Sequence, residues 1–97
     1  MGPKIEFNPS LMLFSRNIAG REEAEYVPKE LIEGAKYHFL VEGFRSYWLG
    51  GDIFLREQEE DKVSEPLAKV RILEVTHFLG EGRPYTRGKY EVMEILR

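Results

Sequence analysis

The stretch LAKVRILEVTHFL, residues 67–79, is the longest strand pattern in this 97-residue sequence. Val70 and Ile72 keep one frame of apolar alternation, and then Leu73 and Val75 continue in the opposite frame. Successive strand residues point to opposite faces, so a frame change inside one strand predicts a β-bulge. A sharply coiled strand that passes from one sheet surface to another, as in small barrels, is the other interpretation.

Shorter strand patterns lie on both sides of this stretch. Each has an apolar run or a period of two, which is typical of strands. They are LMLF (11–14), KYHFLVE (36–42), RSYWL (45–49), DIFLRE (52–57) and KYEVMEIL (89–96). The pair Gly50-Gly51 predicts a tight hairpin turn that joins RSYWL to DIFLRE, because such turns need a positive φ angle.

The remaining segments predict one short helix and several loops. VPKELIEG (27–34) has Pro28 where a helix begins and Gly34 where one ends, which predicts one or two helical turns. The acidic segment 20–26 predicts a loop or frayed turn, and the charged run 57–66 predicts a solvated loop.

About six short strands and one short helix predict a mainly β protein. In a chain of this length we expect a small mixed, largely antiparallel β-barrel that forms a single domain over residues 1–97. Residues 1–26 would supply an N-terminal strand and an acidic loop, and residues 27–97 would form the barrel.

Composition narrows the range of functions. Cysteine is absent, which excludes disulfides and thiolate metal sites, and no apolar run is long enough to cross a bilayer. No secretion signal opens the sequence, so we expect a cytoplasmic protein without membrane contact. The few amide side chains and many ionic ones resemble the composition of hyperthermophile proteins.

The net charge of −3 is unevenly distributed. Residues 1–61 carry seven Lys or Arg against twelve Asp or Glu, whereas residues 62–97 carry seven against five. Since phosphate attraction depends on local positive charge, the second half is the better place for a nucleic-acid contact.

Tyr47 and Trp48 are adjacent in RSYWL, so only one of these rings can face the core. We expect Trp48 in the core and Tyr47 on the barrel flank. The alternative is that one ring is a stacking platform beside Arg45, a combination that suits bases and phosphates.

Cations and a ring are concentrated between residues 80 and 90, in the segment GEGRPYTRGKY. We expect a loop here, with no acidic residue from 82 to 90. Guanidinium and ammonium groups bind phosphates or other anions, and the alternative is that they balance the acidic first half of the chain. The cations and the ring are Arg83, Tyr85, Arg87 and Lys89.

Metal binding and catalysis have weaker support. His38 and His77, without thiols or a clustered set of carboxylates, make a poor metal site. A catalytic set can be drawn from Glu42, Asp52 and His77, as from any three such residues. The sequence contains no nucleophile elbow and no P-loop. We expect no cofactor, and binding rather than catalysis.

The order of elements resembles the PUA-like superfamily, which includes PUA and ASCH domains. The similarity covers residues 27–97 and rests on EGAKYHF, on LAKVRILEVTHF as the long barrel strand and on KYEVMEIL as the closing strand. Gly34 and Lys36 match the ASCH motif G-x-K-x-x-E-x-R, whereas Phe39 and Val41 stand at its acidic and arginine positions. GGDIFL and the later strands also resemble the second-domain barrel of translation elongation factors.

These observations favour a non-catalytic module that binds RNA or associates with nucleic acid. The residues expected to carry it are Arg45, Tyr47, Trp48, Arg83, Tyr85, Arg87 and Lys89. A different class of function is a protein-interaction or assembly module, in which residues 5–14 add a strand to a neighbouring subunit or partner. A third is binding of a small anionic ligand at residues 82–89.

Overall fold

Strands make up nearly all the regular structure of this chain. A computed structural model describes residues 5–15, 22–59, 62–63 and 65–96. One turn of 3-10 helix lies at Glu23–Glu25. The strands are β1 (Ile5–Phe7), β2 (Ser10–Phe14), β3 (Lys36–Glu42), β4 (Phe44–Ser46), β5 (Asp52–Glu59), β6 (Lys62–Val63), β7 (Ala68–Gly80) and β8 (Arg83–Ile95).

The two longest strands, β7 and β8, form one hairpin of 13 residues a side. Its turn is Glu81-Gly82, and both residues have positive φ angles, 53° and 81°. Two consecutive positive φ angles define the turn whose twist matches paired strands. The turn therefore sets the register that begins at Gly80 opposite Arg83.

Two irregularities bend this hairpin. The register shifts between Lys69 and Val70 and again between Ile72 and Glu74. Before the second shift, Ile72 points into the core; after it, Glu74 is exposed. The frame change predicted from the sequence at Leu73 is confirmed as a β-bulge.

The other strands extend the hairpin into a mixed sheet with the order β2-β5-β7-β8-β3. Its pairs are antiparallel except β2 with β5, which is parallel. The short β6 pairs with β5, and β1 pairs in parallel with β4 as a separate two-stranded sheet. The predicted mainly β class, with mixed but largely antiparallel pairing, is confirmed.

The end strands of this order, β2 and β3, are linked through the segment between them in sequence. Tyr26 forms an isolated parallel bridge with Phe14, and the Val27 amide donates to the Phe14 carbonyl at 3.0 Å. Residues 26–27 therefore lie along the free edge of β2, while the 3-10 turn contacts β3.

The core lies on one face of the curled sheet. The buried side chains there come from β2, β5, β7, β8 and β3, joined by two residues outside the strands. They are Leu11, Leu13, Phe39, Ile53, Leu55, Ala68, Val70, Ile72, Tyr90 and Val92, with Val27 and Tyr47.

Phe39 packs in the core over Gly88, its partner on β8. A Cβ atom added at Gly88 would lie 2.7 Å from Phe39 Cε2 and would also meet the Glu74 carbonyl. Any other residue at position 88 would therefore force its neighbours to move. Because glycine has no side chain, the Phe39 ring can enter the core.

The predicted helix over 27–34 is wrong. Residues 29–30 form a bend and residues 33–34 a turn. The backbone groups are bonded elsewhere: the Tyr37 hydroxyl donates to the Glu30 carbonyl and accepts from the Ile32 amide. The Gly34 amide donates to the carbonyl of Val92, which continues the β3–β8 pairing.

The predicted hairpin at Gly50-Gly51 is also wrong. Gly50 has the expected positive φ of 76°, but β4 and β5 belong to different sheets. Two predicted loops are shorter than expected. β5 continues to Glu59 and pairs with β6, and β8 begins at Arg83. Residues 60–61 and 64 of the expected loop over 57–66, and residues 20–21 of the expected loop over 20–26, lie outside the described residues, as do residues 1–4, 16–19 and 97.

Tyr90→Phe is expected to leave the protein equally stable or to stabilise it by about 1 kcal/mol, because an unpaired buried hydroxyl is costly. Within the described residues, Tyr90 Oη is the one fully buried side-chain polar atom without a hydrogen-bond partner. Tyr37→Phe is the control, since it removes two hydrogen bonds and should cost about 1 kcal/mol. Urea unfolding measures both, and a clear loss of stability in Tyr90→Phe would contradict this explanation.

Gly88→Ala is expected to destabilise the protein by about 3 kcal/mol, because the added methyl group overlaps the Phe39 ring and the β7 backbone. Thr76→Ala, at an exposed position of β7, is the control and should change stability by less than about 0.5 kcal/mol. The same unfolding measurement compares them, and equal stabilities would show that Gly88 has room for a side chain.

Candidate nucleic-acid interface

The face of β3, β8 and β7 that points away from the core is called the outer face here. Residues paired across neighbouring strands point to the same side, so the register arranges this face in rows. From the base of the hairpin to its end, the rows are Lys36–Glu91–Arg71, His38–Lys89–Glu74, Leu40–Arg87–Thr76 and Glu42–Tyr85–Phe78.

The first row is neutralised within the sheet. Asp52 on β5 extends it, and its carboxylate lies 3.2 Å from Nη2 of Arg71. Cations and anions therefore alternate across all four strands, from Asp52 through Arg71 and Glu91 to Lys36. A row of this kind has little charge left for an external phosphate.

Towards the hairpin end, cations lie beside aromatic rings. The rings of Phe78 and Tyr85 stack with centroids 5.6 Å apart and planes at 23°. The guanidinium carbon of Arg87 lies 5.1 Å from the Phe78 centroid, which is cation–π geometry. Together with Arg83 and Lys89, these three residues form the hairpin-end patch.

A groove of about 480 Å³ borders this patch. One side is lined by Glu22 and Ala24, next to and within the 3-10 turn, and the other by Leu40, Phe78 and Arg87. A ring and a guanidinium on one side, with a carboxylate opposite, can bind a flat polar group by stacking and hydrogen bonding.

Arg45 lies on the opposite side of β8 from the patch. Its amide donates to Oγ1 of the buried Thr86 at 2.8 Å, and Thr86 donates in turn to the Gly43 carbonyl at 2.7 Å. Nε2 of His77 lies 2.8 Å from the Arg45 carbonyl oxygen. β4 is therefore fixed against the inner face, and Arg45 does not join the other predicted cations.

Tyr47 and Trp48 occupy the reverse of the expected positions. Tyr47 is 6% exposed and packs edge-on against Phe39, whereas Trp48 is 66% exposed. The Trp48 ring covers Gly51, where an added Cβ would lie 2.8 Å from ring atom Cδ2. The second glycine of the pair therefore makes room for this ring rather than completing a hairpin turn.

Trp48 is also distant from the end of the hairpin, where Arg83 lies. Its neighbour Leu49 forms a bridge with Ile72, whereas Arg83 pairs with Gly80 at the end of β7. Those eight residues of strand span roughly 26 Å. Of the seven predicted site residues, the fold brings four together, namely Arg83, Tyr85, Arg87 and Lys89.

Phe78 is the member of the patch that the sequence reasoning missed. The pattern that could have revealed it is the frame change in β7. If the new frame is continued beyond Glu74, Thr76 and Phe78 lie on the outer face. The short Glu81-Gly82 turn then aligns Phe78 with Tyr85. Both patterns were present in the sequence, but a loop over 80–90 was expected instead.

The residues that the structure describes offer neither a cluster of metal ligands nor a membrane-crossing helix. They contain no group of three or more His, Asp or Glu side chains placed to hold a metal ion. No helix in the same residues has the length and apolar character needed to cross a membrane.

Comparison with known proteins supports the fold. No protein-family model and no curated protein matches the chain. The crystal structure of protein ytmB from Bacillus subtilis is similar, with a TM-score of 0.59 over 98% of this chain and 94% of that one. At 19% identity, this likeness extends to the fold alone.

Tyr47 is expected to make stability fall at high pH. Burial raises its pKa from 10.0 to about 12, although the nearby Arg45 charge opposes this rise. Between these values the unfolded chain loses the proton first, so unfolding becomes easier as pH rises, by up to about 3 kcal/mol.

Urea unfolding of the protein and of Tyr47→Phe at pH 7, 9 and 11.5 measures this contribution. Their stability difference should be constant from pH 7 to 9, where neither folded nor unfolded tyrosine ionises appreciably. At pH 11.5 it should shift in favour of Tyr47→Phe. An unchanged difference would mean that Tyr47 ionises in the folded protein as readily as in the unfolded chain.

Proposed function

We propose that the hairpin-end patch binds single-stranded RNA without catalysing a reaction. The observation that carries this proposal is the stack of Tyr85 and Phe78 with Arg87 over the Phe78 ring. Stacking on aromatic and guanidinium planes is how proteins bind unpaired bases, and it tolerates different base identities.

The charges around the patch suit the two parts of a nucleotide, its phosphate and its base. Arg83 and Arg87 are exposed on the same face as Lys89, which places three cations where phosphates can reach them. Glu22 lines the groove on the other side of Phe78. Carboxylates accept hydrogen bonds from amino groups of bases, so acidic residues in the groove are compatible with base binding.

Three sequence-based expectations accompany this proposal. They are a PUA-like relationship of the barrel, a cytoplasmic location and a thermophilic source. Each rests on the patterns and composition described above, and the RNA-binding proposal does not depend on any of them.

Fluorescence anisotropy with labelled 12-nucleotide oligo(U) and oligo(C) RNA, at roughly 50 and 200 mM salt, tests the proposal. Tyr85→Leu should weaken binding about 5- to 100-fold, which corresponds to the stacking energy of one base. Arg87→Gln should weaken binding and lower the salt slope by about one. Duplex RNA should bind less tightly than either single strand.

Lys36→Gln is the matched control, because Lys36 lies on the same outer face within the neutralised row. It should bind RNA like the unchanged protein. The proposal is wrong if no RNA binds at the lower salt, or if Tyr85→Leu and Arg87→Gln bind as the control does.

A protein-interaction module remains the second candidate, now at a different place. Residues 5–14, the expected strand donor, contain β1 and β2, which already pair with β4 and β5 of the same chain. Trp48 and Leu49 instead expose 66% and 57% of their surfaces side by side. Tryptophan is enriched at the hot spots of protein interfaces.

Light scattering of the unchanged protein and of Trp48→Ser tests for association through the Trp48 ring.

A further inference from the structure

A cleft lies between the end strands β2 and β3 and is called the side cleft here. Its volume is about 190 Å³. Cavities of about 150 Å³ already accommodate a molecule of benzene's size. The side cleft therefore has room for a small organic ligand and is too small for a folded partner.

The Tyr47 hydroxyl is a buried polar group that opens onto this cleft. The Tyr47 side chain lines the cleft and is 6% exposed, and its hydroxyl makes no hydrogen bond within the described residues. In the same part of the chain, Tyr90 Oη is the one fully enclosed side-chain polar atom without a partner. The small exposed part of Tyr47 therefore includes its hydroxyl. Because burial raises the Tyr47 pKa to about 12, this hydroxyl is protonated at neutral pH and is a donor in need of an acceptor.

The side-chain amide of Gln58 is the second polar group in the lining that can bind a ligand. Gln58 lies on β5 opposite Phe14, and its backbone carbonyl accepts from the Ser15 amide at 3.0 Å, which fixes β2 at this point. Its side chain lines the cleft and makes no hydrogen bond with any described residue. A carboxamide offers both donors and an acceptor, so it pairs best with a group that also offers both.

Apolar side chains form the walls between these polar groups. Met12 and Phe14 of β2 line one side of the cleft, and Leu40 and Val41 of β3 line the other. Thioether and aromatic groups adapt to apolar ligand groups of varied shape. One part of the ligand should therefore be apolar.

The charged side chains of the lining favour an uncharged ligand, because the protein itself already binds them. The Arg45 guanidinium donates to the Glu42 carbonyl at 3.0 Å, with Asn8 Oδ1 at 3.4 Å from Nη1. The Glu25 carboxylate accepts from the Glu22 amide at 3.0 Å. Arg45 and Glu25 also make further interactions within the protein, and the Glu42 side chain is exposed to water. A charged ligand would have to compete with these contacts, whereas a neutral one would leave them intact.

We propose that the side cleft binds a small, uncharged primary carboxamide with an apolar group, independently of the hairpin-end patch. The ligand carbonyl oxygen has two lone pairs, which accept from the Tyr47 hydroxyl and from the Gln58 amide. The ligand N–H donates to Oε1 of Gln58, and its apolar group lies against Met12 and Phe14. A ketone would leave the Gln58 oxygen without a donor, and a carboxylate would lack the N–H and bring a charge.

NMR titration of isotope-labelled protein at pH 7 with benzamide, phenylacetamide and isovaleramide tests this. At least one of the three should bind with a dissociation constant of about 1 mM or lower and shift the backbone amide signals of β2 and β3. For the amide that binds, the matching carboxylate and the N,N-dimethyl amide should each bind more weakly by about tenfold or more. The proposal is overturned if none of the three amides binds, or if either analogue binds as tightly as its parent.

Tyr47→Phe provides the site-specific readout, because it removes the hydroxyl and keeps the buried ring. It should bind the amide about tenfold more weakly while unfolding in urea at pH 7 no earlier than the unchanged protein. Gln58→Leu, which removes the second polar contact, should weaken binding to a similar extent. Tyr90→Phe is the matched control, since it removes another buried hydroxyl that lies outside the cleft lining, and it should bind normally. Unchanged affinity in Tyr47→Phe or in Gln58→Leu overturns the proposal, as does an equal loss of affinity in Tyr90→Phe.

Discussion

The rest of this structure depends on the two-residue turn at Glu81-Gly82. Both residues adopt positive φ angles, which fixes β7 against β8 from the first pair onwards. That register decides which residues share a face, because a slip of one position exchanges the two faces of a strand. The stack of Phe78 on Tyr85 and the outer-face pairs of β7 with β8 near the turn follow from it, and the separate register of β3 on β8 places Gly88 under Phe39.

The bulge at Leu73 gives the hairpin two halves of different character. In the base half, β7 and β8 present apolar side chains to the core. In the end half, the inner positions of β8 are Pro84, Thr86 and Gly88, and β4 is bonded there through Thr86. The fold thus uses polar contacts to fix β4, and this leaves the outer side of the same half open for the hairpin-end patch.

Sequence reasoning succeeded where apolar alternation is strong and failed where it is interrupted. The alternation predicted β3, β7 and the frame change in β7. It missed the first half of β8 because Pro84, Thr86 and Gly88 are not apolar, so cations on the other face resembled a loop.

The remaining errors concern long-range contacts that no local pattern specifies. The Gly50-Gly51 pair looks like a hairpin turn, but the second glycine is required by the Trp48 ring. The segment 27–34 has helix-like ends, yet its backbone bonds go to Tyr37 and Val92. The candidate site was predicted only in part for the same reason. Four of its residues share one strand face, which a local pattern can show. The positions of Arg45, Tyr47 and Trp48 depend instead on where β4 and the residues after it lie against the sheet.

The parallel pairing of β2 with β5 divides the molecule into a part that we expect to fold early and a part that we expect to fold late. Ser10 pairs with Phe54, so β2 can dock only after a long loop has closed, whereas the β7–β8 hairpin closes across two residues. Loop closure of this kind costs entropy and slows folding, so we expect β2 to join the sheet late and to leave it early. The cleft between β2 and β3, which Met12, Phe14 and Tyr47 line, exists only while β2 is in place, and the hairpin-end patch needs no residue of β2. A partly opened molecule would therefore lose the cleft and keep the patch.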